Sequence, residues 1–246
     1  MRIKQDNLPL SHLAKEQILK LIESGEYMVN DKLPTESQIQ EMLGVSRGTV
    51  REALALLEEG GIVRKIQGKG TFLAKKPIKI EDGLEELKSV TDILKSYGYS
   101  PGTKGFNIKK IKPDKEMQQK LKLEKGEAVL TFERIRTVNG NVAAYCLDSF
   151  PAKYFKEKLP DLNFSGSMFE YLEKELDIII DYAVAEIAPA FFTGEMCKKL
   201  GLTEDTPFLL LKQIHYCNKG DPIIYSLDYF NVNIFKFIVN RKRTKI

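Results

Sequence analysis

Apolar residues recur at spacings of three and four through Leu10, Leu13, Ala14, Ile18, Leu21 and Ile22, which predicts one buried stripe of a helix that begins near Pro9 and stops at Gly25. A second, shorter helix is expected after Leu33-Pro34. Thr35 with Gln38 three residues on fits a capping box, and Ile39, Met42 and Leu43 supply its buried face. Gly44 ends that helix, Val45 turns inward, and Ser46 caps a third helix on which Val50, Ala53, Leu54 and Leu57 repeat until Gly60-Gly61. Two β-prone runs, 62–66 and 71–73, then flank Gln67-Gly68-Lys69-Gly70, the pattern of a hairpin with a glycine-rich tip.

After Lys75-Lys76-Pro77 the periodicity changes. Leu84, Leu87, Val90, Ile93 and Leu94 predict a helix ending at Gly98, and Pro101-Gly102 marks a turn. Strand patterns follow over 105–111, 128–138, 142–150, 178–187, 208–217 and 223–230, with helices over 113–121, 167–175 and 193–200. Asn139-Gly140 between two strand runs is a strong hairpin signal. Antiparallel strands with interspersed helices give an α+β fold. The expected organisation is a first domain of three helices and a hairpin at 1–75, a linker at 76–82 and a second domain at 83–246.

Composition narrows the class. The chain has 246 residues, 43% hydrophobic and 29% charged, ordinary for a globular protein and consistent with two domains. No apolar run approaches the eighteen or so residues of a membrane span. Arg2, Lys4, Asp6 and His12 interrupt the N-terminus, so no secretory signal is read there. Cys146, Cys197 and Cys217 form no CxxC pair, which argues against a disulfide framework or a zinc cage and for a cytoplasmic protein without cofactor. A net charge of +4 is too small to identify a nucleic-acid binder by itself. The positions of the charges carry more.

Helix, helix, tight turn, helix and hairpin is the order of a winged helix-turn-helix. Arg47 and Arg51 stand four apart at the head of the third helix, on one side of it. A guanidinium there contacts phosphate or reads the O6/N7 edge of guanine. Gly48 permits close backbone approach, Thr49 offers a hydroxyl, and Gly68-Lys69-Gly70 is slim enough for a minor groove. The plain alternative is that both arginines are solvated charges paired with Glu52 or Glu58. A three-helix core followed at once by a basic-tipped hairpin favours duplex DNA as partner. A nucleotide-cradling loop is excluded, because no GxxxxGK[ST] is present and a strand follows Gly70.

Leu33-Pro34-Thr35-Glu36, Gly44-Val45-Ser46-Arg47-Gly48-Thr49-Val50-Arg51-Glu52-Ala53-Leu54, Leu57-Glu58-Glu59-Gly60 and Gly68-Lys69-Gly70-Thr71-Phe72 together resemble the GntR family of bacterial repressors over about the first 75 residues. The resemblance implies DNA contacts from Ser46, Arg47, Gly48, Thr49 and Arg51, and from the wing at Gly68, Lys69 and Gly70. Many members carry an arginine just after the Pro-x-Glu. This chain has Ser37 and Gln38 there, so one guanine contact is missing or replaced.

The remainder resembles the UTRA effector-binding domain of the HutC branch, of chorismate-lyase-like fold. The residues that carry this are Leu87-Lys88-Ser89-Val90-Thr91, Glu133-Arg134-Ile135-Arg136, Ser167-Met168-Phe169-Glu170-Tyr171-Leu172 and Ile224-Tyr225-Ser226. Arg134 and Arg136 are two apart on a strand and therefore share a face. Two cations so placed repel unless an anion lies between them; the plain alternative is that both reach solvent, or that Asp148 on the neighbouring strand neutralises one. The resemblance implies an effector site at Ser89, Thr91, Arg134, Arg136, Ser167 and Tyr225. Ile224 stands where relatives that sense amino sugars often have an acid, which favours a phosphorylated sugar or other small anion and leaves a nucleoside or amino-acid-derived ligand as the alternative. The expectation is a homodimeric repressor of a carbohydrate uptake or catabolic operon, on a pseudo-palindromic operator. An enzyme of the lyase fold is the rival class. His12 and His215 fall in different domains, and neither a Gly-x-Ser-x-Gly elbow nor HExxH occurs. His215 with Cys217 supplies only two metal ligands, fewer than a site needs.

Overall fold

A computed structural model describes residues 9–155, 159–160 and 164–243; the leader reading at 1–8 lies outside them. The chain divides into two compact units, Met1–Ile78 and Lys79–Ile246.

In the first unit, α1 (Leu10–Glu23), α2 (Glu36–Leu43) and α3 (Arg47–Glu59) precede the hairpin β1 (Val63–Ile66) and β2 (Gly70–Leu73). Local signals set each boundary. The Thr35 hydroxyl accepts from the Gln38 amide while the Gln38 side chain reaches back to Thr35, closing the capping box ahead of α2. Gly44 ends α2 at φ 64°, a left-handed conformation that is easy for glycine. Ser46 accepts from the Thr49 amide at 3.1 Å and starts α3. Ala14, Ile18, Ile22, Leu33, Ile39, Val50, Ala53, Leu54, Leu57, Val63 and Leu73 form one core. Of the expected core residues, Leu21 is only half-buried, and Leu10, Leu13 and Met42 are exposed. Leu10 and Leu13 lie on the first turn of α1, and Met42 lies on the last turn of α2.

In the second unit, the strands β4 (Pro101–Ile111), β5 (Val129–Val138), β6 (Asn141–Pro151), β7 (Ile180–Phe191), β8 (Pro207–Cys217) and β9 (Pro222–Asn231) form an antiparallel sheet in the order β4-β5-β6-β9-β8-β7. Two short strands that the sequence does not signal, β3 (Ile80–Gly83) and β10 (Phe235–Ile238), pair in parallel. Ile80 is fully buried, so the expected linker gives its last residues to this unit. The helices are α4 (Val90–Ser96), α5 (Lys115–Lys120), α6 (Met168–Leu176) and α7 (Gly194–Leu200).

The helix expected from Leu84 starts only at Val90, because the Ser89 hydroxyl caps the Asp92 amide and fixes the first turn there. Pro101-Gly102 opens β4 instead of turning: the two residues pair with Val138 and Thr137. β4 is an edge strand, where proline is tolerated. A bulge follows between Thr103 and Phe106, with Gly105 at φ 82°.

Strand alternation separates the two faces of the sheet. Val129, Tyr225 and Ile214 pack with Leu121 beside α5, and Ile135, Tyr145 and Phe208 pack with Leu200 of α7. On the opposite face Arg134, Cys146, Asp148, Gln213, His215, Ile224 and Asp228 border a cavity of about 580 Å³. Val90 and Ile93 of α4, Met168 and Phe169 of α6, residues of β3 and the segment after it, and residues of β7 between Asp181 and Ile187 also contribute to the lining.

Candidate functional site

The exposed head of α3 carries the first constellation. Arg47 and Arg51 both bond one carboxylate through Nε: Glu36 Oε2 lies 3.2 Å from Arg47 and 2.9 Å from Arg51. The other oxygen, Oε1, accepts from Lys65 Nζ of β1 at 2.8 Å. Glu36 is the first residue of α2, so a single side chain ties the second helix, the third helix and the hairpin together. Lys65 first, then Arg51, hold its carboxyl down at about 2 against some opposing burial, with Arg47 adding to them. The bonds occupy the Nε atoms and leave the terminal nitrogens of both guanidiniums for a ligand. Neither Glu52 nor Glu58 plays the part expected of it. Glu58 instead accepts from the Lys65 backbone at 2.8 Å.

The other predicted residues lie on the same unit. Ser46, Gly48 and Ser37 are exposed, and Thr49 is half-buried with its hydroxyl 2.9 Å from that of Ser46. Lys69 is exposed at the hairpin tip between Gly68 at φ 74° and Gly70 at φ 119°. Side chains other than glycine rarely adopt those angles. A Cβ at Gly70 would also sit 2.8 Å from Lys32 Cε. Glu36 appears in the sequence only as part of a motif. Its role was not legible because its partners lie 11, 15 and 29 residues away.

The second constellation is at the cavity. Arg134 is buried and gives Nη2 to Asp148 at 2.8 Å. Burial works against its charge, but Asp148 outweighs burial and its pKa is raised. This realises the neutralisation by Asp148 that the sequence allowed. Arg136, 1% exposed, has no such carboxylate. Its donors go to Thr91 Oγ1 at 2.6 Å, Ser165 O at 2.9 Å and Thr103 Oγ1 at 2.5 Å, all neutral. Burial, with neighbouring Arg134, pulls its pKa down to about 10. It remains charged at neutral pH as a guanidinium whose direct partners are neutral, with Asp148 acting on it only from beyond hydrogen-bond distance.

Ser167 caps α6 and donates to Ser89 Oγ at 3.0 Å, so Ser89, Thr91, Arg134, Arg136 and Ser167 form one neighbourhood. Ser89 and Arg134 line the cavity itself; Thr91, Arg136 and Ser167 do not. Tyr225 is a correction. Its neighbours Ile224 and Ser226 face the cavity side, so alternation turns Tyr225 to the other face, where it packs with Leu121, Val129 and Ile214.

The sequence did not single out the floor of the cavity. There Asp228 Oδ2 accepts from Gln213 Nε2 at 3.0 Å and from Ser226 Oγ at 2.9 Å. Ser226 Oγ lies 3.0 Å from His215 Nε2. Burial first, then the nearby Asp148 charge, push the Asp228 carboxyl up to about 6. Burial draws His215 down to about 4, so it is neutral at pH 7.

Comparison with known proteins agrees with both halves. Residues 10–73 match the bacterial regulatory proteins of the gntR family, and residues 96–236 match the UTRA domain. The chain is 28% identical over 235 residues to the HTH-type transcriptional repressor NagR of Bacillus subtilis, covering 96% of each chain. It is 29% identical over 242 residues to the mannosyl-D-glycerate transport/metabolism system repressor MngR of Escherichia coli, covering 96% of this chain and 98% of that one. Among solved structures, PhnF from Mycobacterium smegmatis superposes with a TM-score of 0.63 at 23% identity, over 94% of this chain and 100% of that one.

Proposed function

The chain belongs to the GntR family of bacterial regulatory proteins, in the branch that carries a UTRA domain, and from that premise we propose that it is a homodimeric repressor whose hold on its operator is released by a small anionic metabolite. The observation that carries the DNA-binding part is the pair Arg47 and Arg51, oriented on Glu36 at the exposed head of α3. Each guanidinium approaches DNA with its terminal nitrogens, the geometry that suits a phosphate or the O6/N7 edge of guanine. Ser46, Gly48, Thr49 and Ser37 complete the major-groove surface, and Lys69 between Gly68 and Gly70 enters the adjacent minor groove.

Arg136 supports the anionic effector. A buried cation whose partners are all neutral favours an incoming negative charge, since burial leaves few other ways to balance it. Thr91, Ser89 and Ser167 supply hydroxyls beside it. A phosphorylated sugar fits this chemistry, and the similarity to MngR, a repressor of a mannosyl-D-glycerate transport/metabolism system, supports control of a carbohydrate operon. The reading includes no catalytic role for the chain.

Dimer formation has its own support in β7. This outer strand runs for 12 residues, and Val184, Ile187 and Phe191 along it are each more than half exposed. An apolar outer strand left open invites pairing with another chain. A second copy covers it and brings two winged heads to the two halves of a pseudo-palindrome.

The test is binding of the full chain to labelled duplex over a salt series, first with random sequence and then with an operator selected from random duplexes. The proposal expects affinity for both to fall steeply with salt, and tighter binding to the selected sequence. Absence of any salt-dependent affinity for DNA refutes it.

A further inference from the structure

Three buried polar atoms lack a hydrogen-bond partner among the described residues: Asp82 Oδ2, Arg134 Nε and His215 Nδ1. All three residues line the same cavity. A buried polar group left unpaired costs roughly 1–3 kcal/mol, and native structures seldom keep several in one place without a reason.

The hydrogen-bond chain on the cavity floor fixes what His215 offers. Ser226 has one hydroxyl proton, and it goes to Asp228 Oδ2. The contact between His215 Nε2 and Ser226 Oγ at 3.0 Å must then be donated by the imidazole. His215 is therefore the Nε2–H tautomer, and its Nδ1 carries a bare lone pair. Asp228, held by Gln213 and Ser226, sets this tautomer from two residues away along β9. Lys88 Nζ engages only Oδ1 of Asp82, at 3.1 Å, which leaves Oδ2 as a second bare acceptor. Arg134 Nε is the one unpaired donor.

We propose that His215 is a specificity-determining residue of the effector cavity, its Nδ1 accepting a hydrogen bond from a hydroxyl or amine of a polyhydroxylated ligand whose acceptor end is bound on the arginine side. The inference rests on the reading of this cavity as the effector's site and adds what lies at the other end of the ligand. Two unpaired acceptors and one unpaired donor call for a molecule that brings several donors together with an acceptor to this end, as the hydroxyls of a sugar ring do and the acceptor oxygens of a bare phosphate or a dicarboxylate do not. Phe169 of α6 lines the same cavity and stands edge-on to the imidazole at a centroid distance of 5.4 Å.

Two side chains that imitate opposite halves of the imidazole test this. Asparagine places its amide oxygen where Nδ1 lies, while glutamine reaches the Nε2 position and its bond to Ser226. The full chain and its His215→Asn and His215→Gln variants are titrated calorimetrically with glucose 6-phosphate, glucose and inorganic phosphate. Imidazole nitrogen spectra are recorded alongside, which two histidines in the whole chain make simple to assign. The expected result is a free protein with His215 protonated on Nε2 alone, whose Nδ1 resonance moves with glucose 6-phosphate and not with phosphate. Glucose 6-phosphate affinity is expected to stay within about threefold in His215→Asn and to fall at least about tenfold in His215→Gln.

A merely structural histidine gives the reverse order, since glutamine keeps the Ser226 bond. That order, equal losses, or a proton on Nδ1 overturns the inference while leaving the anionic-effector reading intact. Glucose binding as tightly as its phosphate, with the Nδ1 resonance moving, sinks the anionic reading and upholds the role of His215. If no probe binds, both fall.

Discussion

Replacing Glu36 by glutamine removes the charge that holds Arg47, Arg51 and Lys65 while keeping the shape of the side chain. The carboxyl lies at about 2 against an ordinary 4.5, which at ~1.4 kcal/mol per tenfold corresponds to ~3 kcal/mol as an upper bound. The three cationic side chains are 60%, 57% and 53% exposed. Water and salt screen them, and roughly 1 kcal/mol of stability is the realistic loss. Because the folded value is depressed, that contribution is present above pH 4.5 and disappears as pH falls toward 2. Parent and variant therefore differ in melting temperature at pH 7 and converge only in strong acid.

The larger effect is on DNA. Fixing a long side chain at an interface costs ~0.5–1.5 kcal/mol, and Glu36 does this in advance for two arginines. Its loss weakens operator binding by ~1–2 kcal/mol. The removed negative charge also strengthens binding to any duplex. Operator affinity is thus nearly unchanged or falls, random-sequence affinity rises, and their ratio drops about five- to thirtyfold. Anisotropy titrations with selected and scrambled duplexes at one salt concentration measure that ratio. A rise of both affinities by the same factor would show that Glu36 only dilutes local charge and orients nothing.

Arg47→Ala is expected to cost ~1–3 kcal/mol of operator binding and to relax the preference at one base position; unchanged selectivity in a competition assay removes Arg47 from base reading. Arg136→Met should still bind operator but no longer be released by glucose 6-phosphate, and intact release in a filter-binding assay contradicts the anion site. In thermal melts, His215 and Asp228 act in opposite directions. His215, lowered to about 4, contributes stability above pH 6.5 that is lost as pH falls through 4. Asp228, raised to about 6, contributes stability below pH 3.8 that is lost as pH rises through 6. Asp228→Asn is therefore expected to gain stability relative to the parent on going from pH 4 to pH 8, and a constant difference across that range would contradict the burial argument. Val184→Glu should shift the chain from dimer to monomer in light scattering, whereas a dimer of unchanged strength places the interface elsewhere.

The first unit was legible almost residue by residue because short-range signals write it. Thr35 with Gln38, Gly44, and Ser46 act within three or four positions of where they stand, and the stripe on α3 points Val50, Ala53, Leu54 and Leu57 into the core, which leaves Arg47 and Arg51 outside. What escaped there was Glu36. No periodicity or spacing rule shows that one carboxylate will meet partners on a helix and a hairpin at three different separations. The exposure of Met42 escaped for a related reason. The helical stripe it belongs to is real, but which residues of a stripe find a neighbour depends on where the other elements end.

The second unit shows how far parity alone carries. Arg134 and Arg136 share a face because any strand makes them share one, and that much needs no structure. Which residues face them depends on register. Asp148 stands opposite Ser226, Gln213 opposite Ser226, and His215 opposite Ile224, and a slip of one residue in any of these pairings would turn the whole polar floor to the other side of the sheet. The same sensitivity explains why Tyr225 was misplaced. A motif resemblance transfers a residue's neighbours in sequence, but on a strand those neighbours are the residues that point the other way. The discriminating chemistry of this cavity lies in pairs between β8 and β9 separated by 11 to 15 residues. A substitution that shifts their register is for that reason expected to abolish effector response more completely than the loss of any single polar side chain.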